Sequence, residues 1–158
     1  MKDLIISSLL VLGIYSISAQ DISDHTIGLR LGSNRGFGTE VSYQMKLNSE
    51  NRAEFNLGWR TGNNVSAIKV NGLYQWIWPL EQGFNWYAGV GGGLGSFSNN
   101  NTNGSSGAFV FAAGDIGIEY NFDFPLQASL DLRPEIGGNG YFENSFGTDI
   151  ALGIRYKF

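Results

Sequence analysis

Along most of this chain apolar and polar side chains alternate one for one, the period of a strand whose two faces meet unlike surroundings. The C-terminal stretch is the clearest case. Phe146, Thr148, Ile150, Leu152, Ile154, Tyr156 and Phe158 fall on one face, and Gly147, Asp149, Ala151, Gly153, Arg155 and Lys157 on the other. Before it, Leu126, Ala128, Leu130, Leu132 and Ile136 alternate with Gln127, Ser129, Asp131, Arg133 and Glu135. Pro134 interrupts that run; without an N–H it predicts a local break in the ladder. Earlier, Phe37, Val41, Tyr43 and Met45 oppose Glu40, Ser42, Gln44 and Lys46, and Phe55, Leu57 and Trp59 oppose Glu54, Asn56, Gly58 and Arg60. Eight strands are predicted, at 25–33, 36–46, 52–62, 65–78, 84–97, 107–122, 126–137 and 145–158, with no helical period and no internal linker.

The connections alternate in character. Those after the second, fourth and sixth segments (Leu47 to Asn51, Pro79 to Gly83, Asp123 to Pro125) are short. Those after the fifth and seventh, Ser98 to Ser106 and Gly138 to Asn144, are longer and rich in Asn, Ser and Gly, while the connections around Asn34 and Asn63 are short. Short turns at one end and longer loops at the other are how transmembrane barrels are built. The first twenty residues stand apart: Lys2, an apolar run from Leu4 to Ile17, and Ser18-Ala19-Gln20 read as a cleaved secretory signal. The domain reading is therefore 1–20 signal peptide and 21–158 barrel, in a chain that leaves the cytoplasm.

Composition narrows the class. Aromatics are 14% and charged residues only 15% of the chain, Gly numbers 23, and past the N-terminus no apolar run is long enough for a membrane helix. A net charge of −4 with no basic patch argues against nucleic acid as a partner, and the absence of cysteine removes disulfides, thiolate metal sites and a lipidated N-terminal Cys.

Alternation does not say which face looks inward; steric crowding does. In the fifth segment Gly89, Gly91, Gly93 and Gly95 share one face and Phe84, Trp86, Val90 and Leu94 the other. An eight-stranded barrel has room inside only for its own side chains, so the glycines are expected in the lumen and the large apolar residues outside, in lipid. Trp76, Trp78, Phe84, Trp86, Tyr120, Phe122, Tyr156 and Phe158 cluster at the ends flanking the short turns, as an aromatic girdle at a membrane interface does. A soluble periplasmic ligand-binding barrel, apolar face inward, is the rival reading.

The last segment, Ile150-x-Leu152-x-Ile154-x-Tyr156-x-Phe158, resembles the C-terminal assembly signal of outer-membrane β-barrel proteins, with Ile154, Tyr156 and Phe158 as its key positions. With the signal segment, the chain resembles the small OmpA/OmpX-type outer membrane protein β-barrel family, of a Bacteroidota-like kind. The resemblance implies an all-β, eight-stranded antiparallel transmembrane up-and-down barrel in the Gram-negative outer membrane. It implies outer-membrane lipid and lipopolysaccharide as surroundings, insertion by the barrel-assembly machinery, and no single shared activity. Since the chain ends at its last strand, no C-terminal peptidoglycan-binding domain is expected.

Candidate chemistry is sparse. The lumen face is expected to carry Arg30, Glu40, Glu54, Arg60, Lys69, Asp115, Glu119, Asp131, Arg133, Glu135, Asp149, Arg155 and Lys157, six basic against seven acidic residues. Buried charges must be paired. Turns centred on Phe124 and Tyr141 would set Asp115 and Asp149 both opposite Arg133, which predicts an Asp115–Arg133–Asp149 cluster with a packing role. Acid–base catalysis or pore selectivity is the alternative. His25 is the sole histidine, with only Ser23 and Asp24 near it in sequence, so neither an acyl-transfer triad nor a metal site is expected. Gly89 to Gly95 lacks the spacing of a nucleotide loop and reads as strand. The Asn100 and Asn103 sequons read as chance in a loop of this composition. Tyr141 and Phe142 are the residues placed to touch an outside partner or lipopolysaccharide. The functional expectation is a non-enzymatic, structural or adhesive outer-membrane barrel without cofactor or wide pore. A conduit for small hydrophobic molecules is the second reading, with Leu73 and Phe97 as its only inward apolar hints, and a lipid-modifying enzyme the third.

Overall fold

The computed structural model describes residues 22–33, 37–62, 64–101, 103–137 and 146–158. The expected signal segment and the Tyr141 and Phe142 contacts lie outside the described residues. Eight strands, β1 His25–Ser33, β2 Phe37–Lys46, β3 Asn51–Gly62, β4 Val65–Pro79, β5 Phe84–Asn99, β6 Ser106–Asn121, β7 Leu126–Gly137 and β8 Phe146–Lys157, follow one another around a closed barrel. Every neighbouring pair is antiparallel, and β1 closes on β8. The boundaries fall within two residues of the predicted ones. β5 runs on to Asn99 because Ser98 and Asn99 keep pairing with Ser66 and Val65, and backbone pairing needs no apolar face.

The short turns hold themselves. Between β2 and β3 the Asn48 side-chain oxygen accepts from the Glu50 and Asn51 amides, both at 2.9 Å. Between β4 and β5, Gln82 and Gly83 take φ of 42° and 88°, and Leu80 N–H donates to Phe84 O at 2.9 Å. Between β6 and β7, Phe122 N–H donates to Leu126 O at 3.0 Å. The start of β1 and the end of β8 lie at this short-turn end, where Phe158 and His25 exchange backbone bonds of 2.9 and 3.2 Å.

Register fixes the tilt. Partner to partner, Thr26 leads through Gln44, Glu54, Leu73, Gly91, Ala113 and Glu135 to Gly147. Thr26 itself opposes Lys157, ten residues from where the walk ends. With strands about 4.8 Å apart and a rise of about 3.3 Å per residue, that stagger tilts the strands by roughly 40° and sets a barrel radius of about 8 Å. The β6–β7 ladder skips the pairs opposite Arg133 and Pro134, the break predicted from the proline.

Such a radius leaves a lumen only side-chain wide, and it is filled in three layers. At the short-turn end Ile22, Ile77 and Tyr87 pack together, all under 5% exposed. The middle holds the ionised residues. Towards the other end Leu73, Phe109, Phe111 and Ala113 form a second apolar layer, with Phe97 packed against it. This corrects the expectation that Leu73 and Phe97 are the only apolar residues facing in. In β6 both faces of Phe109-Val110-Phe111-Ala112 are apolar, so the period has no sign there. Glycines make room for the rings: a Cβ on Gly95 would sit 2.6 Å from Phe109 Cζ, and one on Gly117 2.5 Å from the Tyr87 ring.

Gly95→Val would force apart Phe109 and the Ile68 carbonyl and is expected to cost about 1–3 kcal/mol, read as a lower denaturant midpoint; Ser96→Val, on the outward face, should leave it within error.

Candidate functional site

The lumen residues come from alternate positions of all eight strands, so their heads converge on one axis. Arg133, at 0% exposure, sits in the middle. Its Nη1 bonds Glu40 at 3.2 Å and its Nη2 bonds Glu54 at 2.9 Å, while its Nε lies 3.8 Å from Asp115. Arg30 grips both oxygens of Asp131 and reaches Glu40 at 3.2 Å and Asp149 at 2.6 Å. Lys69 joins Glu40 at 3.2 Å to Glu135 at 2.5 Å. Arg155 donates to Ser42 and Ser129 at 2.9 and 2.8 Å and lies 3.5 Å from Glu54. Arg60 bonds Asp149 at 3.2 Å near the longer-loop end. Gln75 donates to Glu54 and Asp115 and accepts from Arg52 Nε at 2.6 Å, tying the lower part to the centre.

Asp115, Arg133 and Asp149 thus lie in one network, but not as a closed trio. Asp149 is the register partner of Arg133, yet its carboxylate bonds Arg30 and Arg60. Arg133 turns to Glu40 and Glu54 on the far wall. Register predicts neighbours along the wall; in so narrow a lumen a long guanidinium crosses it instead. Two placements differ from the sequence reading. Arg52, at the lip of its predicted strand, is a buried member, 2.6 Å from Glu119 and with its guanidinium 4.9 Å from the Tyr87 ring centre. Its alternation with Glu54 and Asn56 carried the signal. Lys157 sits at the rim instead, its Nζ donating to the Phe122 carbonyl at 2.9 Å. The lumen count stays at six cations (Arg30, Arg52, Lys69, Arg133 and Arg155 buried, Arg60 partly so) and seven carboxylates.

His25 bonds the Tyr43 hydroxyl at 2.8 Å through Nδ1 and stacks on Tyr43 and Phe158, so it belongs to the aromatic rim. That rim is continuous in places. Trp78 stacks on Trp86 at 4.2 Å between centroids, Phe84 meets Tyr120 at 4.6 Å, Tyr120 meets Phe122 at 4.7 Å, and Tyr74 meets Trp76 at 5.0 Å. Ile154 and Tyr156 stand outward on β8 and Phe158 lies just past its end, each more than half exposed.

The outer wall is the reverse of a soluble surface. Leu94, Val110, Leu152 and Ile154 are 58–65% exposed. Among the described residues every Asp, Glu, Lys and Arg lies either in the lumen or at the short-turn end, where Asp24, Lys46, Glu50, Glu81, Asp123 and Lys157 are found. On β5 the apolar outward run from Phe84 to Leu94 is ten steps, which at the tilt above spans about 25 Å along the axis, the height of a lipid-facing band.

No protein-family model and no curated protein matches the sequence. Solved structures do resemble its fold. The N-terminal β-barrel domain of Pseudomonas aeruginosa OprF superposes with a TM-score of 0.75 at 14% identity, over 86% of this chain and 98% of that one. Neisserial surface protein A superposes at 0.67 and 14%, over 85% and 94%. Ail, the attachment invasion locus protein of Yersinia pestis, superposes at 0.58 and 14%, over 86% and 97%. At these identities the likeness concerns architecture: a small, closed, eight-stranded barrel of the outer-membrane type.

Arg133→Ala would leave Glu40, Glu54 and Asp115 facing one another without their shared cation. A loss of about 3–5 kcal/mol is expected, read as a lower temperature for the folded-to-unfolded gel shift; unchanged heat resistance would mean that Arg133 does not hold the network together.

Proposed function

We propose that this chain is an integral outer-membrane barrel with a structural or surface-interaction role, neither an enzyme nor an open pore. One observation carries the reading: a charge-free apolar wall surrounds a packed, ionised lumen. In water this arrangement would expose the apolar band and bury seven carboxylates for no gain. In a bilayer the band meets hydrocarbon, and the closed ladder satisfies the backbone without solvent.

The outer membrane is favoured over the inner by the all-strand design and by the solved barrels it resembles. Residues 1–20 would be the export signal. Ile154, Tyr156 and Phe158, at the exposed C-terminal end of the chain's closing strand, would be the residues read by the assembly machinery. Tyr141 and Phe142 would reach outside partners from the β7–β8 connection. The lumen argues against a conduit: Phe109 and Leu73 are 1% and 3% exposed and stopper one end, Ile22, Ile77 and Tyr87 the other, and interlocked ions fill the space between. His25 has a tyrosine and a phenylalanine as neighbours rather than the Ser and Asp of a hydrolase, which argues against lipid modification. A structure of Ail holds the heparin analogue sucrose octasulfate. Here the longer-loop end carries Arg60, engaged with Asp149, among the described residues, and the sequence places Arg35 in the β1–β2 connection.

The reading is tested by insertion and by conductance. Residues 21–158 should fold only in detergent or vesicles, migrate faster on gels unheated than boiled, and give no steady ion current in a planar bilayer. Leu130→Arg, in the middle of the apolar band, should cost about 2–4 kcal/mol of vesicle-folded stability, and Leu47→Arg, in a rim turn, about 0–1 kcal/mol. Folding in plain buffer, or equal costs at the two sites, would contradict it.

A further inference from the structure

Among the described residues the lumen holds seven carboxylates against six cations, so one negative charge is left over. The distances show which one. Glu40, Glu54, Glu119, Asp131, Glu135 and Asp149 each lie within 3.2 Å of a guanidinium or ammonium nitrogen. Asp115 does not. It is 5% exposed, its Oδ1 stands 3.8 Å from Arg133 Nε, and neither of those atoms has a hydrogen-bond partner.

Sequence and register explain the isolation. An aspartate is too short to cross the lumen, and the β5 partner of Asp115 is Gly89, which brings no side chain. Arg133, beside it on β7, turns both Nη groups to Glu40 and Glu54 on the far wall. The β6–β7 ladder skips this pair next to Pro134, so backbone pairing does not draw the two together. From β4, Gln75 supplies only a neutral amide, donating to Asp115 Oδ2. The other groups facing Asp115 are Asp131 on β7, Glu54 on β3, Arg30 on β1 and the Tyr87 hydroxyl on β5. Two cations thus face it, both already engaged by other carboxylates, against two anions.

We propose that Asp115 is a proton-binding site, and that the folded barrel carries this side chain as the neutral acid. A buried ionised oxygen without a donor costs far more than a buried hydroxyl without an acceptor. With the proton bound, six carboxylates meet six cations. A metal ion is a poorer occupant, because a guanidinium rather than further oxygens stands opposite Oδ1. The charge network that fixes strand register is therefore balanced only while the proton is held, which makes the lumen a pH-responsive lock. The unfolded chain leaves an aspartate ionised at neutral pH, so folding takes up one proton and stability falls as pH rises.

The test uses residues 21–158 folded in phosphatidylcholine vesicles. At about pH 6, where exposed carboxyls are ionised, the infrared spectrum should show a protonated-carboxyl C=O band that weakens by about pH 9. Asp115→Asn, a neutral isostere, should lack that band. Its heat-unfolding midpoint should match the wild type at the lower pH and exceed it by about 3 °C at the higher; groups common to both proteins, such as His25, cancel in this difference. Asp131→Asn, which takes an ionised partner from Arg30, should lower the midpoint at both pH values. Absence of the band, a band that survives Asp115→Asn, or equal pH slopes in the two proteins would overturn the proposal. So would a wild-type midpoint that shifts when sodium replaces potassium, since a metal cation would then stand in the proton's place. Should Asp115→Asn not fold, the wild-type band and its loss at high pH still decide.

Discussion

The fold depends on crossed ion pairs inside a barrel about 8 Å in radius, measured to its strands. Eight strands staggered by ten residues leave no room for bulk water and little for slack, so each buried guanidinium must find carboxylates by reaching across. Glu40 meets Arg30, Lys69 and Arg133, which root on three different strands, and Glu54 meets Arg133 and Arg155. These contacts join walls that the backbone ladder links only in sequence order. Buried pairs add little net stability over an apolar filling, yet a one-residue slip of any strand would turn its charges into lipid. The network therefore acts chiefly on register.

That constraint explains features that look unrelated along the chain. Glycines appear on the inner face where a large neighbour must lie flat against the wall, as Gly95 does beneath Phe109 and Gly117 beneath Tyr87. The two apolar layers at the ends keep water from the ions, so the interior is stoppered twice before any loop is considered. Pro134 is tolerated in the wall, although it deprives the ladder of a donor, because the pairs on either side of it persist.

Much of this was legible in the sequence because a barrel wall has two unlike faces and a strand has period two. Strand number and the two faces of β3, β7 and β8 follow from alternation, the Pro134 break from its missing N–H, the choice of outward face from the crowding of glycines in β5, and the up-and-down order from the family resemblance. Legibility fails where the alternation has no contrast. Phe109 and Phe111 face in among apolar neighbours on both sides, and Ser98 and Asn99 continue a strand through polar sequence. It fails again where contact is decided in three dimensions: Arg133 and Asp149 face each other in register, but the lumen gives each a different partner. Arg52 and Lys157 show the edge case, since the end of a strand decides whether a charge enters the lumen or turns to the rim.

The tryptophans report directly on the inside-out wall. All four, Trp59, Trp76, Trp78 and Trp86, point outward and are 37–47% exposed. Residues 21–158 folded into vesicles whose lipid chains carry bromine should lose most of their tryptophan fluorescence relative to the same vesicles without bromine. Fluorescence indifferent to the bromine, from a protein that stays monodisperse in buffer, would contradict the account.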